Sequence, residues 1–175
     1  MDLAPLRLGA SARFLIDGAD VPFLYFADTA WAIVWKGKPA EWETYFERRV
    51  AQGFSVVQVN LLPWRWHLTD VEGNLPFVGG DPDRPKEAYF ARFDRFLAQA
   101  SARGLVTCLM ILWGGPRPNL PAVRFTTAQA VSFARFVVAR YGHHRMIWSL
   151  SGDAEYAREI EKWDAVGAAV ESTDL

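Results

Sequence analysis

Four short clusters along the chain carry side chains able to bind and protonate a sugar. Asp28, Thr29 and Trp31 form the first, and Asn60 with Trp64, Arg65, Trp66 and His67 forms the second. Trp113 precedes Gly114-Gly115 in the third, and Ser151-Gly152-Asp153 leads to Glu155 in the fourth. A carboxylic acid can protonate the leaving oxygen of a glycosidic bond, and a carboxylate can stabilise the oxocarbenium-like centre that results. Amide and acid groups hold hydroxyls, and indole faces stack on the C–H face of a sugar ring. There are 8 Trp among 175 residues, enough to furnish both a core and a stacking surface.

The elements between these clusters decide whether they meet. Residues 13–16 and 21–26 are apolar, strand-like runs separated by Asp17-Gly18, a hairpin signal. Helical periodicity covers 40–52, where Trp42, Tyr45, Phe46 and Val50 share a face and Gly53 stands as the cap. A strand over 55–61, a helix over 87–103, and a nearly continuous apolar strand over 105–112 follow. The next helix, 127–141, opens on a capping box of Thr126 and Gln129. A strand over 146–150 and a helix over 156–170 complete the pattern. The reading is therefore α/β: an N-terminal β-hairpin, then four βα units with a parallel sheet. Segments 62–85 and 113–125, which follow strands, are long and rich in proline and glycine, whereas the turns before strands are minimal. Long loops after strands fit the first half of a (β/α)8 barrel whose working face lies at the strand C-termini. Residues 1–175 are read as a single partial domain, and all four clusters fall on that one rim.

Composition narrows the functional classes. With 19 Lys+Arg against 20 Asp+Glu, the net charge is -1, which argues against a nucleic-acid partner or an anionic membrane surface. Apolar residues at 51% support a packed core. No apolar run has the length of a membrane span, and the N-terminus lacks the pattern of a signal peptide. Localisation is left open: cytoplasmic by default, although enzymes on polymeric glycans are often exported. The single cysteine, Cys108, sits among apolar residues and reads as a buried, inert thiol. Neither a GxGxxG nor a Walker sequence occurs in the first βα turn, and no GxSxG elbow or His/Asp/Glu spacing for a metal is present. No cofactor is expected. The remaining Lys and Arg residues read as solvated helix faces.

Eight segments together resemble a known family. They are Ala27-Asp28-Thr29-Ala30-Trp31, Arg49-Val50-Ala51-Gln52-Gly53-Phe54, Val57-Gln58, Gly73-Asn74-Leu75-Pro76-Phe77, Tyr89-Phe90 with Asp94, Trp113-Gly114-Gly115, Arg140-Tyr141-Gly142, and Ile147-Trp148-Ser149-Leu150-Ser151-Gly152-Asp153. In this order they resemble the apiosidase-like catalytic domain of bacterial glycoside hydrolases, formerly a domain of unknown function. The resemblance implies a (β/α)8 barrel acting on plant cell-wall glycans, with an apiosyl linkage in a pectin side chain as the best-known substrate. It also implies an acid/base carboxylate at the end of the fourth strand, which falls on Asp153, and a partner carboxylate near the end of the seventh. The chain ends before a fifth strand, so it is expected to be a truncated half, inactive alone, that self-associates or needs a C-terminal half-barrel. The alternative is a non-catalytic half-barrel that binds glycan or assembles with a partner.

Each candidate also has a purely structural reading. Asp153 is the favoured acid, but Asp is also a common N-cap for a helix beginning near Tyr156. Glu155 is either a second acid or a residue favouring the helix dipole. Asp28 is favoured as a hydroxyl ligand over a turn residue. Asn60 faces either core or rim. Trp31, Trp64, Trp66 and Trp113 are candidates for stacking, Trp42 and Trp163 belong to the core by periodicity, and Trp148 belongs to the barrel interior or a helix interface. His67 reads as an exposed loop residue, and His143 and His144 lie on the opposite face.

Overall fold

The computed structural model describes residues 5–65 and 67–174. Three two-residue strands, β1 (Arg7–Leu8), β2 (Leu15–Ile16) and β3 (Pro22–Phe23), pair antiparallel in sequence order. The parallel sheet follows, with β4 (Ala27–Thr29), β5 (Val56–Asn60), β6 (Val106–Trp113) and β7 (Met146–Gly152) adjacent in that order. Helices α1 (Ile33–Lys36) and α2 (Pro39–Ala51) join β4 to β5, and α3 (Glu87–Ala102) joins β5 to β6. Helices α4 (Pro121–Arg124) and α5 (Thr127–Tyr141) join β6 to β7, and α6 (Ile160–Thr173) follows β7. This is the expected α/β order of an antiparallel N-terminal ribbon and four βα units.

Local chemistry sets the element ends. Helix α5 starts where Thr126 Oγ1 accepts from the Gln129 amide and Gln129 Oε1 accepts from the Thr126 amide. Helix α2 starts with Pro39 in its first turn, and Glu41 accepts from the Lys38 amide. It ends at Gly53, whose φ of 84° is the left-handed conformation that glycine adopts at low cost. Most boundaries fall within three residues of the sequence reading, the strand Arg7–Leu8 was not anticipated, and two boundaries differ for reasons visible in the structure. The 21–26 run divides: Pro22–Phe23 closes the antiparallel ribbon, and the first parallel strand is Ala27–Thr29, inside the segment read as a polar interruption. The Phe26 carbonyl already accepts from Ser55 and Val56, so pairing with β5 begins there. Helix α6 begins at Ile160, not 156, because the Tyr156 hydroxyl bonds to the Ser151 carbonyl at 2.7 Å and residues 156–158 wind into a 3-10 turn.

The helices cover one face of the sheet. Val57, Val59, Leu109 and Ile111 point toward them and meet Trp42, Phe46, Phe96 and Phe133. Burying an aromatic side chain of this size contributes about 1.5–3 kcal/mol. Trp42 and Trp163 are core residues, as their periodicity predicted. Trp148 packs against this layer from β7 and donates to Asp174 at 2.9 Å. The other face of the sheet carries Val56, Val106, Cys108 and Met110, partly covered by Phe23, Trp31 and Trp64. Cys108 is buried there, and desolvation pushes its thiol up. Strand β6 is buried along its whole length, whereas β7, with a neighbour on one side only, is buried only at Ser151.

Arginines clamp the helices in place. Arg49 of α2 and the Tyr45 hydroxyl both bind Asp28 Oδ2, at 2.5 and 2.8 Å. Arg140 of α5 holds Glu87 with two bonds of 2.7 and 2.6 Å and also reaches Asp94 on α3. The motif residues Asp28, Arg49, Asp94 and Arg140 thus form scaffold pairs that fix helix to strand and helix to helix.

Candidate functional site

The C-terminal ends of the parallel strands and the loops beyond them build one cleft. Asp153 follows β7 directly and is exposed. Its φ of 55° lies in the left-handed region, uncommon for a residue with a side chain. The N-cap of helix α6 is Glu159, six residues later, so Asp153 does not cap it. No ion pair or hydrogen bond engages its carboxyl among the described residues. The cleft it lines measures about 290 Å³ and is shared with Trp64, Trp113, Gly114, Gly115, Arg117 and Leu120.

An indole cluster forms one wall. Trp113 meets Trp31 edge-on at 5.2 Å and Trp64 at 6.0 Å, and Trp64 meets Trp35 at 5.6 Å. Trp113 lies across the backbone of Gly152, where a Cβ would sit 2.5 Å from the ring. At Gly114 a Cβ would sit 2.7 Å from the Ala154 backbone. Glycine at these two positions lets the ends of β6 and β7 close against one another, and that contact sets Asp153 beside the indoles.

The structure separates the other candidates. Asp28 pairs in register with Val57, on the helix-facing side of the sheet. Burial alone would raise its carboxyl, but the bonds from Arg49 and Tyr45 outweigh it and hold the group below the usual carboxylate range. Its side chain therefore points away from the cleft, contrary to its placement on the rim by sequence. Asn60 pairs in register with Met110 and is fully buried. Its Nδ2 donates to the Leu62 carbonyl at 2.7 Å, and its backbone amide donates to the Trp31 carbonyl at 3.0 Å. It supports the indole wall from beneath and is not at the surface. Glu155 lies on the far side of Gly114-Gly115, in a separate cleft of about 160 Å³ with Trp163, and is ion-paired to Arg158 at 2.5 Å. Trp66 lies outside the described residues. Of the expected set, Asp153, Trp64 and Trp113 line the cleft, with Trp31 behind Trp113.

Sequence reasoning missed the cations that hold the long loops. Lys and Arg side chains read as solvated faces, yet Arg92 and Lys162 are buried. Arg92 donates to the Val34 carbonyl at 2.9 Å, to the Gly37 carbonyl and to Glu72, and stacks on Trp42 at 4.5 Å. Glu72 is also held by Arg95 at 2.8 Å, and the neighbouring Asp70 accepts from the Glu72 and Asn74 amides. The loop beyond β5 is thereby tied to α3, and Phe77 anchors it further against Phe125 and Phe133 at 5.7 and 5.6 Å. Lys162 does the same for the loop beyond β6, donating to the Ala122 carbonyl and to Phe125 at 3.0 Å. Each cation sits on an apolar helix stripe where periodicity predicts a hydrophobe. Its partners are carbonyls and carboxylates distant in sequence, so no local pattern announces it.

Arg117, Asn119 and Leu120 were also missed. With Trp64 and Arg65 they line a second cleft, of about 420 Å³, that shares Trp64, Arg117 and Leu120 with the first. The two form one groove. Among the described residues no group of three or more His, Cys, Asp or Glu is placed to hold a metal ion, and no helix is long and apolar enough to cross a membrane.

A family model described as "Apiosidase-like, catalytic domain" matches residues 10–175. Among solved structures, a glycoside hydrolase family 5 protein from Bacteroides vulgatus is similar with a TM-score of 0.84 at 21% identity, over 97% of this chain and 37% of that one. A protein described as a glycoside hydrolase superposes with a TM-score of 0.85 at 20% identity, over 98% of this chain and 39% of that one. An exo-β-1,4-mannosidase from an Opitutaceae bacterium gives 0.70 at 15% identity, over 95% and 33%. At these identities the likeness is one of fold, and the chain spans well under half the length of each of these structures. No curated protein matches the chain.

Proposed function

Because the chain belongs to the apiosidase-like catalytic domain family, we propose that it supplies the acid/base half of a glycoside hydrolase site acting on plant cell-wall glycans. Asp153 is the acid/base residue. Its carboxyl protonates the leaving oxygen as the glycosidic bond breaks, and the carboxylate left behind takes a proton from the water that completes hydrolysis. Trp113 and Trp64 stack on the sugar and exclude water from one side of the cleft. An apiosyl linkage is the substrate that family membership favours.

One observation carries this reading: among the described residues the sole carboxylate lining the indole cleft is an unpaired Asp at the end of the fourth parallel strand, on left-handed backbone. Glycoside hydrolysis uses two carboxyl groups, about 5–5.5 Å apart for retention or about 6.5–9.5 Å for inversion. Asp28 faces the helices and Glu155 faces another cleft, so the second group comes from elsewhere, and the 175-residue chain alone binds glycan without hydrolysing it.

The test uses the native polypeptide and its Asp153→Asn variant. Hydrolysis of apiosyl-bearing pectic fragments should fall by orders of magnitude, while glycan quenching of tryptophan fluorescence persists. Near-normal turnover by the variant would remove Asp153 from the chemistry. Turnover by the 175-residue chain itself would refute the need for a second carboxylate from elsewhere.

A further inference from the structure

Asp153 stands on backbone that the sheet itself does not hold. Parallel pairing ends at Gly152, opposite Trp113. Asp153 follows with a φ of 55°, a conformation that persists only where its surroundings fix it. Its carboxyl has no hydrogen bond or ion pair among the described residues, so the backbone alone aims it. The Gly152 carbonyl turns toward β6 and accepts from the Gly114 amide at 2.8 Å. Successive residues of a parallel strand bond to opposite sides. The amide and carbonyl of Ser151 therefore turn to the other edge of β7, which has no neighbouring strand among the described residues. Ser151 is nonetheless buried, and buried backbone groups need partners. One hydroxyl supplies both. Tyr156 Oη donates to the Ser151 carbonyl at 2.7 Å and accepts from the Ser151 amide at 3.1 Å. The bridge closes residues 151–156 into a ring of chain with Asp153 inside it. The Tyr156 side chain is seated edge-on against Trp163 of α6 at 5.2 Å, and Trp163 belongs to the core. A tie thus runs from a core helix, through one phenol, to the strand end that carries Asp153.

We infer that Tyr156 is a positioning residue for Asp153: its hydroxyl, bonded to both backbone groups of Ser151, holds the 151–156 loop closed and aims the Asp153 carboxyl at the leaving oxygen. This rests on the reading of Asp153 as the acid/base residue. Tyr156 touches no reacting atom and acts only through the geometry of the loop. A general acid must lie within hydrogen-bond reach of the oxygen it protonates, and a small displacement of a held group is enough to lose most of its effect.

The experiment compares hydrolysis of phenyl and dinitrophenyl apiosides by the native polypeptide and two variants. Phenol needs a proton from Asp153 as its bond to the sugar breaks, whereas dinitrophenol leaves as a stable anion and needs none. The ratio of kcat/KM for the phenyl substrate to that for the dinitrophenyl substrate therefore reads proton donation. It does not depend on how much of a variant is folded. Asp153→Asn sets the scale and should lower the ratio by orders of magnitude. Tyr156→Phe keeps the ring against Trp163 and removes only the hydroxyl. It should lower the ratio by about tenfold to a hundredfold, with the loss in kcat on the phenyl substrate and KM within about a factor of two of the parent. An unchanged ratio in Tyr156→Phe overturns the positioning role and leaves Asp153 as the acid. Equal losses on both substrates, or a Tyr156→Phe chain that does not fold, overturn it as well, because the hydroxyl then serves the fold and not the proton. An unchanged ratio in Asp153→Asn, or no hydrolysis of either apioside by the parent, overturns the acid/base reading, and the role of Tyr156 with it.

Discussion

Replacing Gly152 by alanine tests the way the cleft is assembled. The added Cβ would lie 2.5, 2.7 and 2.9 Å from Cζ3, Cε3 and Cη2 of Trp113, against an ordinary carbon–carbon separation of about 3.5–4.0 Å. The indole must therefore retreat by about 1 Å. It has little room, since Trp31 and Trp64 stand edge-on to it at 5.2 and 6.0 Å. Gly152 is not in the left-handed region, so alanine meets no dihedral penalty and the cost is steric. Overpacking of a closed site costs about 1–3 kcal/mol, and that range is the expected loss in urea unfolding. Near-UV circular dichroism from the indole cluster should change with it. Gly167→Ala is the internal control: in α6 its Cβ would meet Leu150 Cδ1 at an ordinary 3.6 Å, and helix propensity favours alanine by about 1 kcal/mol. If Gly152→Ala unfolds within about 0.5 kcal/mol of the parent and leaves the near-UV spectrum unaltered, Trp113 is not seated on Gly152 as described.

Lys162→Met should cost about 2–4 kcal/mol, because it strips a charged donor from the Ala122 and Phe125 carbonyls; tryptic cleavage after Arg117 should accelerate in parallel, and unchanged cleavage would break the link between the buried ammonium and the loop. Phe77→Ala should lose about 3–5 kcal/mol by opening a cavity between Phe125 and Phe133, measured by thermal unfolding. Asp17, Asp28, Glu72 and Glu87 are all held below their usual range in the folded chain. Depressed carboxylates stabilise above their unfolded pKa and lose that contribution as pH falls through the folded value. The contribution of these four carboxylates should therefore be flat from neutrality to about pH 5 and decline below about pH 4, with a shallower decline in Asp28→Asn, whereas His144, which burial holds below the usual imidazole range, adds a separate loss as pH falls below about 6.5. Absence of any decline below about pH 4, or a loss near pH 6 that survives His144→Gln, would contradict the assignment.

Much of the architecture was legible because it is local. The Thr127–Tyr141 helix was placed to the residue, since its capping box and apolar stripe are written within its own length. The two misplaced boundaries lie where distant groups intervene. Ala27–Thr29 becomes a strand because β5 pairs with it, and residues 156–158 leave the helix because Tyr156 reaches back to Ser151. The site was legible in part. Trp113 ends a strand, and Asp153 and Trp64 lie just beyond strand ends, where side chains reach a barrel's rim. Asp28 was misjudged because it lies within β4, where parity sends it to Arg49. Arg117 carried no signal beyond a charged residue in a proline-rich loop, and its place in the groove is visible only when that loop stands beside Trp64.

The buried cations under the two long loops bear on how a ligand would be received. Fixing one residue's backbone costs about 1–2 kcal/mol in conformational entropy, and the two segments beyond β5 and β6 are long. With Arg92 and Lys162 holding them to α3 and α6, that disorder is lost when the chain folds and not when a sugar arrives. Association should then proceed as a meeting of rigid partners, with a rate set by diffusion and charge rather than by loop closure, and with a heat-capacity change no larger than the ligand's own apolar contact requires.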